Sequence, residues 1–120
     1  MKKRILIVDD DARNIFALSA TLRARQFECL SCTGAAQAIT LLENDNKIDA
    51  VLLDMMMPDM DGYDAIPLLR RTSGGYGIPI IAVTAQAMVG DRERCIEAGA
   101  NDYVSKPVDV DKLLRILSTI

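Results

Sequence analysis

The sequence predicts an α/β fold, in which helices cover both faces of a parallel five-stranded sheet. Strand-like and helix-like patterns alternate five times along the 120 residues, which is the pattern of repeated strand–helix units. The strand segments also read as short apolar runs without polar alternation, as in Arg4 to Val8 and Val51 to Leu53. Such runs are typical of strands that are buried on both faces, and this favours a sheet between two helical layers.

In the first half of the chain, a helix is predicted from Ala12 to Arg25, with Asp11 as its N-cap. A weaker strand, expected at the sheet edge, follows from Phe27 to Ser31. Thr33-Gly34 opens a second helix that ends at Asn44 to Asn46. Its inner face is predicted from apolar residues at helical spacing, which are Ala35, Ala38, Ile39 and Leu42.

The second half repeats this alternation after the strand that ends at Asp54. The predicted elements are a helix from Asp64 to Arg71, a strand from Ile78 to Val83, a helix from Met88 to Ala98, a strand from Asn101 to Val104 and a helix from Asp109 to Ser118. Pro67 is expected within about the first turn of its helix, where a missing N–H costs little; if the helix starts earlier, we expect a kink. Gly99 is expected as a C-terminal helix cap and Asp109 as an N-cap.

Length, net charge and hydropathy limit the kinds of protein that this sequence can encode. The length suits one domain spanning residues 1–120, and the net charge of -3 argues against nucleic acid as the main partner. No apolar run approaches the roughly 20 residues of a membrane span and no signal peptide is visible, so we expect a cytoplasmic protein without direct membrane contact. Cys29 and Cys32 form a C-x-x-C pattern, but residues three apart in a strand point to opposite faces, so we interpret them as small buried residues.

Polar and charged residues stand at the predicted carboxyl ends of four strands: Asp9-Asp10-Asp11, Asp54, Thr84 and Lys106. In open α/β sheets the ligand site lies at this edge. Three carboxylates brought together there require a cation, a proton or the Lys106 ammonium, and oxygen ligands without His favour Mg²⁺. The alternative is that the three consecutive acids only cap a helix, but this does not account for the other strand ends.

Beside a metal ion, Asp54 has the chemistry of a nucleophile. Carboxylates attack phosphorus to give aspartyl phosphates. Mg²⁺ and Lys106 would offset charge on the phosphoryl oxygens, and the Thr84 hydroxyl with nearby backbone N–H groups would donate hydrogen bonds to them.

Taken in order, these segments resemble the receiver domain of two-component response regulators over the whole chain. The resemblance is carried by Ile-Leu-Ile-Val-Asp9-Asp10, Leu53-Asp54-Met55-Met56-Met57-Pro58 with Asp61-Gly62, Val83-Thr84-Ala85 and Lys106-Pro107. Three segments are most similar to the receivers of hybrid sensor histidine kinases: Asn14 to Leu18, Met56-Met57-Pro58, and Ala85-Gln86-Ala87-Met88 with Gly90-Asp91-Arg92. The resemblance implies a flavodoxin-like (βα)5 doubly wound fold in three layers, with strand order 2-1-3-4-5.

The resemblance also implies roles for individual residues. Asp54 would accept a phosphoryl group from a phosphohistidine, and Asp9, Asp10, Asp54 and the Met56 backbone carbonyl would hold Mg²⁺. Thr84, Ala85, Lys106 and the Met56 backbone would contact the phosphoryl oxygens. Tyr103 would be a switch aromatic that responds to Thr84, the alternative being a half-buried tyrosine with no switching role. The Lys106–Pro107 peptide would be cis.

As to function, the resemblance implies a signalling switch rather than an enzyme, whose responsive face is the fourth helix, fifth strand and fifth helix. Its partners would be a histidine kinase or a histidine phosphotransfer domain, with the phosphoryl group passed onward or read out by protein contacts. Dimerisation through the last helix stays open.

Two residues flank the expected path of a water that would hydrolyse the aspartyl phosphate, Met56 and Gln86. A thioether cannot orient water as an amide or carboxylate can, so we predict a comparatively long-lived phosphoryl group.

Three rival functions remain at this stage. A haloacid-dehalogenase-like phosphatase would use Asp9 as its nucleophile, but would leave Asp54 unexplained. A flavodoxin-like FMN-binding module is disfavoured, because three aspartates after the first strand would repel the FMN phosphate. A degenerate receiver that serves only for interaction is disfavoured because all the expected site residues are present.

Overall fold

The computed structural model describes residues 2–44, 47–85 and 89–120. Strand and helix alternate along these residues, as predicted. The strands are β1 (Arg4–Val8), β2 (Glu28–Cys32), β3 (Ala50–Asp54), β4 (Ile80–Thr84) and β5 (Asp102–Ser105). The helices are α1 (Ala12–Arg23), α2 (Ala35–Asn44), α3 (Gly62–Arg70), α4 (Asp91–Ala98) and α5 (Val110–Leu117).

The five strands form one parallel sheet in the order β2-β1-β3-β4-β5. The predicted flavodoxin-like fold and its strand order 2-1-3-4-5 are therefore confirmed. β2 lies at one edge, as expected from its weaker apolar pattern, while β3 and β4 are buried along their whole length. No helix in the described part of the chain is both long enough and apolar enough to cross a membrane.

Two apolar cores lie on opposite faces of the sheet, because successive strand residues point to opposite sides. On β1, Leu6 and Val8 join the core under α2, α3 and α4, while Ile5 and Ile7 join the core under α1 and α5. The two faces are called the α2–α4 face and the α1–α5 face below. Cys32 packs on the α2–α4 face and Cys29 on the α1–α5 face, so the C-x-x-C pattern does not bring the two thiols together.

Aspartates begin three of the helices. The side chains of Asp11, Asp61 and Asp109 accept hydrogen bonds from backbone N–H groups in the first turns of α1, α3 and α5. These bonds satisfy donors that have no partner within the helix. Gly99 ends α4 in the left-handed conformation, as predicted.

α2 is capped differently, by a residue distant in sequence. Gly34 precedes this helix and has no side chain, and the carboxylate of Asp59 accepts from the Ala36 N–H at 3.3 Å instead. A Cβ on Gly34 would lie 2.8 Å from Asp59 Oδ2, so the glycine makes room for this carboxylate. The loop after β3 is thereby attached to the start of α2.

The prediction that Pro67 lies in the first turn of α3 is wrong. Asp61 caps the helix, which therefore begins at Gly62, and Pro67 is its sixth residue. The other boundaries differ by two residues or fewer where they are described, and β2, β4 and β5 each end one residue later than predicted. The predicted start of the fourth helix at Met88 lies outside the described residues, and α4 is described from Asp91.

Candidate functional site

The carboxyl ends of β1, β3 and β5 bring four charged side chains to one edge of the sheet. Carboxylate oxygens of Asp9, Asp10 and Asp54 all lie within 4.8 Å of one another. The Lys106 Nζ atom lies 3.6 Å from Asp9 Oδ2 and 3.5 Å from Asp54 Oδ2. The edge therefore carries a compact group of three carboxylates and one ammonium.

The strand register explains which of these side chains share a face. Leu52 and Val104 pack on the α1–α5 face; Asp54 stands two positions after Leu52 on β3, and Lys106 stands two positions after Val104, directly after the end of β5. Asp9 likewise stands two positions after Ile7. Because residues two apart in a strand point the same way, this alternation aims all three charged side chains toward the α1–α5 face.

Asp9 is held in position by α1. The residue is 2 % exposed, Oδ1 accepts from the Asp11 N–H at 2.8 Å, and Oδ2 accepts from Asn14 Nδ2 at 3.4 Å. The sequence interpretation missed Asn14 as a site residue. A signal was present, because Asn14 is a polar residue in the first turn of α1, shortly after the acidic cluster.

Asp54 is 4 % exposed at the end of β3. Its Oδ1 atom accepts from the Met56 N–H at 3.0 Å, which fixes the start of the next loop against the carboxylate. Burial raises the pKa of Asp54 above its ordinary value, and the negative charge of Asp9 acts in the same direction. The Met56 hydrogen bond and the Lys106 ammonium oppose this rise in pKa without cancelling it.

The charges of the cluster fit a divalent cation. Three carboxylates and one ammonium sum to a formal charge of -2, with all the anionic oxygens close together. Oxygen ligands in such an arrangement suit Mg²⁺ or another hard cation. A cation bound there would offset the carboxylate repulsion and would favour the charged form of Asp54, against the effect of burial on its pKa.

Thr84 and Ala85 lie on the neighbouring strand end. Asp54 pairs with Val83 in the β3–β4 register, so Thr84 stands one residue beyond that pair and is buried, whereas Ala85 is exposed. The Lys106 N–H donates to the Thr84 carbonyl at 2.7 Å, which joins the ends of β4 and β5. The Lys106–Pro107 peptide is cis.

Tyr103 lies on the opposite face from the charged cluster. It pairs with Ala82 on β4 and packs, half-buried, against the core on the α2–α4 face. Thr84 shares this face, since it stands two residues after Ala82. Burial raises the pKa of Tyr103, and the Lys112 ammonium of α5 lies 5.6 Å from the ring centre.

A cleft of about 230 Å³ opens on the α1–α5 face directly beside Asp9 and Lys106. Apart from Asn14 and Thr21 of α1, its other lining residues are apolar and come from α1, β4, the β5–α5 loop and the first residue of α5. The charged cluster thus borders a cleft whose lining is mostly apolar. Gln86, which the sequence interpretation placed beside the path of an attacking water, lies outside the described residues.

Comparison with known proteins agrees with this geometry. The family model of the response regulator receiver domain matches residues 5–118. The chain is 38 % identical over 111 residues to the heme response regulator HssR of Staphylococcus haemolyticus, covering 92 % of this chain and 48 % of HssR. It is 36 % identical over 114 residues to the sensor histidine kinase RcsC of Escherichia coli K12, covering 95 % of this chain and 12 % of RcsC.

A solved structure extends the likeness to the site. The receiver domain of the sensor histidine kinase PA1611 from Pseudomonas aeruginosa PAO1 superposes with a TM-score of 0.88 and is 38 % identical, covering 99 % of this chain and 97 % of that one. That crystal structure has a magnesium ion coordinated in its active-site cleft. The predicted similarity to receivers of sensor histidine kinases is confirmed. The chain spans about half of the length of HssR and about an eighth of the length of RcsC.

Receiver domains are phosphoacceptor switches of two-component signalling. The family match extends over almost the whole sequence, and the acidic cluster stands at the strand ends where ligands bind in such sheets. This chain therefore belongs to the response regulator receiver domain family.

Proposed function

We propose that Asp54 accepts a phosphoryl group from a phosphohistidine in a Mg²⁺-dependent reaction. The observation that carries the proposal is the placement of the buried Asp54 carboxylate, which lies within 4.8 Å of two further carboxylates and 3.5 Å from the Lys106 ammonium. A buried nucleophile surrounded by metal-type ligands and one cation is the arrangement that phosphoryl transfer requires.

Asp9, Asp10 and Asp54, together with the Met56 backbone carbonyl, would hold Mg²⁺. When bound, the ion supplies positive charge that offsets the charge of the phosphoryl oxygens. Asn14 and the Asp11 N–H orient Asp9 for this purpose, since they occupy its two oxygens from the α1 side.

In the transfer step, an oxygen of Asp54 forms a bond to phosphorus while the bond from phosphorus to the donor imidazole nitrogen breaks. Asp54 acts as an anion here, so the Met56 N–H and the Lys106 ammonium, which lower its pKa, favour the reactive form. The Lys106 ammonium, the Thr84 hydroxyl and the N–H groups of Ala85 and Met56 would then contact the phosphoryl oxygens.

The phosphoryl group would act as a switch through Thr84 and Tyr103. Phosphorylation adds about -1.5 to -2 charges at one point, and each hydrogen bond to a charged group contributes about 1.5–3 kcal/mol. Two such contacts, from Thr84 and Lys106, approach the roughly 5.5 kcal/mol that moves a population from 1:99 to 99:1. Because Thr84 and Tyr103 share the α2–α4 face, movement of Thr84 toward the phosphoryl group changes the space beside the Tyr103 ring.

The partners that fit this chemistry are a histidine kinase and a histidine phosphotransfer domain. The domain would work as a signalling switch in the cytoplasm, catalysing only its own phosphorylation and dephosphorylation, with its α4–β5–α5 face or onward transfer as the output. Neither nucleic acid nor a membrane is expected as a direct partner, and a homodimer through α5 is left to measurement.

The test is the intact mass of the protein after incubation with acetyl phosphate, with and without Mg²⁺. A Mg²⁺-dependent gain of one phosphoryl group that is absent from Asp54→Asn supports the proposal. Asp54→Asn also tests the rival function, because a phosphatase with Asp9 as nucleophile would tolerate Asp54→Asn and lose its activity in Asp9→Asn. A gain that survives in Asp54→Asn, or no gain at all, refutes the proposal.

A further inference from the structure

Three consecutive methionines follow Asp54, and their exposure differs sharply. Met55 is 2 % exposed and Met57 is 6 % exposed, and both belong to the core on the α2–α4 face. Met56 between them is 55 % exposed, while its backbone N–H is held at 3.0 Å from Asp54 Oδ1. Of the three methionines, the exposed one therefore belongs to the residue whose backbone N–H is hydrogen-bonded to the phosphoacceptor carboxylate.

We propose that Met56 is a site of oxidation by hydroperoxides, and that its sulfoxide shortens the lifetime of the phosphoryl group on Asp54. This inference rests on the function proposed above and adds a modification of the same site. In the oxidation, a sulfur lone pair attacks the outer peroxide oxygen, the O–O bond breaks and an S–O bond forms. Sulfur loses two electrons, and hydrogen peroxide is reduced to water, its proton passing to the departing oxygen.

Access favours Met56 over the other sulfur atoms near the site. Met56 lines an open groove with Tyr63 and Arg94. Met55 and Met57 line the same groove but are buried, so of the three methionines Met56 is the one that a small oxidant reaches most easily. Cys32 and Cys95 are buried, and burial raises the pKa of Cys32 to about 11 and that of Cys95 above its ordinary value. Both thiols therefore stay protonated at neutral pH, the form that reacts poorly with peroxide.

The sulfoxide changes the hydrogen bonding available at the mouth of the site. A thioether sulfur is a weak acceptor, whereas the sulfoxide oxygen is a strong one. Hydrolysis of an aspartyl phosphate needs a water whose oxygen bonds to phosphorus while the bond to the Asp54 oxygen breaks, and whose proton is released to solvent. An acceptor on the side chain two residues after Asp54 holds that water for attack, and one such hydrogen bond corresponds to a rate increase of about two- to tenfold.

The experiment treats the protein with limited hydrogen peroxide and then with a thiol reductant, which reverses cysteine disulfide and sulfenic acid but leaves methionine sulfoxide in place. Peptide mass mapping gives the order in which the methionines are oxidised. The protein is then phosphorylated with acetyl phosphate and Mg²⁺, the donor is removed, and loss of the phosphoryl group is followed by intact mass. Met56→Leu keeps the other five of the six methionines and is the matched control, each sample being compared with its own untreated form.

The expected result is that Met56 is oxidised before Met55 and Met57, that the phosphoryl lifetime falls about two- to tenfold in the wild type alone, and that methionine sulfoxide reductase restores it. Earlier or equal oxidation of Met55 or Met57, an unchanged lifetime, or equal shortening in Met56→Leu would overturn the inference. If the untreated protein takes up no phosphoryl group, the proposed function fails and this inference fails with it. Uptake with a lifetime that oxidation does not change refutes the Met56 inference alone.

Discussion

Replacing Lys106 by methionine tests the charge balance of the site most directly. The substitution keeps the length and approximate volume of the side chain and removes the ammonium that lies 3.6 Å from Asp9 Oδ2 and 3.5 Å from Asp54 Oδ2. The formal charge of the cluster then changes from -2 to -3, because three carboxylates remain without the cation.

The expected loss of stability follows from these distances. Two unit charges 3.5 Å apart attract by about 5 kcal/mol at an effective dielectric constant near 20. The Lys106 side chain is 25 % exposed, so water screens part of this attraction. Loss of one partner from a buried pair costs about 3–5 kcal/mol, and with this exposure we expect a loss of about 2–3 kcal/mol in the free energy of unfolding. Urea denaturation at pH 7 in the presence of EDTA measures it, as a midpoint lowered by about 1–2 M.

The same variant has an opposite expected effect on metal binding. Removal of a positive charge beside the three carboxylates strengthens their attraction for a divalent cation, so the Mg²⁺ dissociation constant should fall by roughly tenfold or more. Isothermal titration calorimetry measures the dissociation constant. Phosphoryl uptake should nevertheless decline, because the ammonium no longer meets the phosphoryl oxygens.

Lys3→Met is the matched control, since Lys3 is exposed directly before β1 and the substitution changes the net charge equally. The control should change neither stability nor Mg²⁺ affinity appreciably. If Lys106→Met unfolds within about 0.5 kcal/mol of the wild type and binds Mg²⁺ no more tightly, the charge balance derived from the structure is wrong.

Three further predictions concern neighbouring features. Met56→Asn should shorten the lifetime of the phosphoryl group about two- to tenfold, because an amide can orient the attacking water; an unchanged dephosphorylation rate would contradict the predicted effect of the thioether. Asp59→Ala should cost about 0.5–2 kcal/mol by removing the cap of α2, and Gly34→Ala should be better tolerated in that background than alone, because its Cβ clashes only with Asp59 atoms among its nearest neighbours. Additive unfolding energies in this double-mutant cycle would refute the capping contact. Asp54→Asn should be more stable than the wild type at pH 7 in EDTA, because burial raises the pKa of the Asp54 carboxyl. In the wild type, the free energy of unfolding falls as the pH rises from the ordinary carboxyl pKa through the raised one. The difference in stability between the variant and the wild type should therefore vanish in acid, and a difference that persists unchanged at low pH would exclude the raised Asp54 pKa as its cause.

The sequence was informative wherever a local pattern decides the structure. The apolar runs located the strands, and the aspartates at Asp11 and Asp109 located helix starts, because N-capping involves residues only two or three positions apart. The acidic residues at the strand ends were also predictable, since parallel strands bring their carboxyl ends to one edge.

Features that depend on contacts between distant segments were not predictable in this way. Asp59 caps α2 across 23 residues of sequence, and nothing local to either segment indicates the contact. Asn14 could be expected on α1, but its bond to Asp9 depends on how the helix packs over β1. The start of α3 was misplaced because Pro67 was given more weight than the Asp61 cap, although capping outweighs one missing N–H when the helix packs into the core through Ile66 and Leu69.

The strand register also places the charged cluster and the proposed switch residues on opposite faces of the sheet. Asp9, Asp54 and Lys106 point to the α1–α5 face, while Thr84 and Tyr103 lie on the α2–α4 face, where α4 packs against β5. Of the eight residues of α4, only Cys95 and Asp91 are buried, so this helix buries little apolar surface. Displacing α4, the helix beside Tyr103, would therefore cost little packing energy. A helix that moves in response to phosphorylation needs this property.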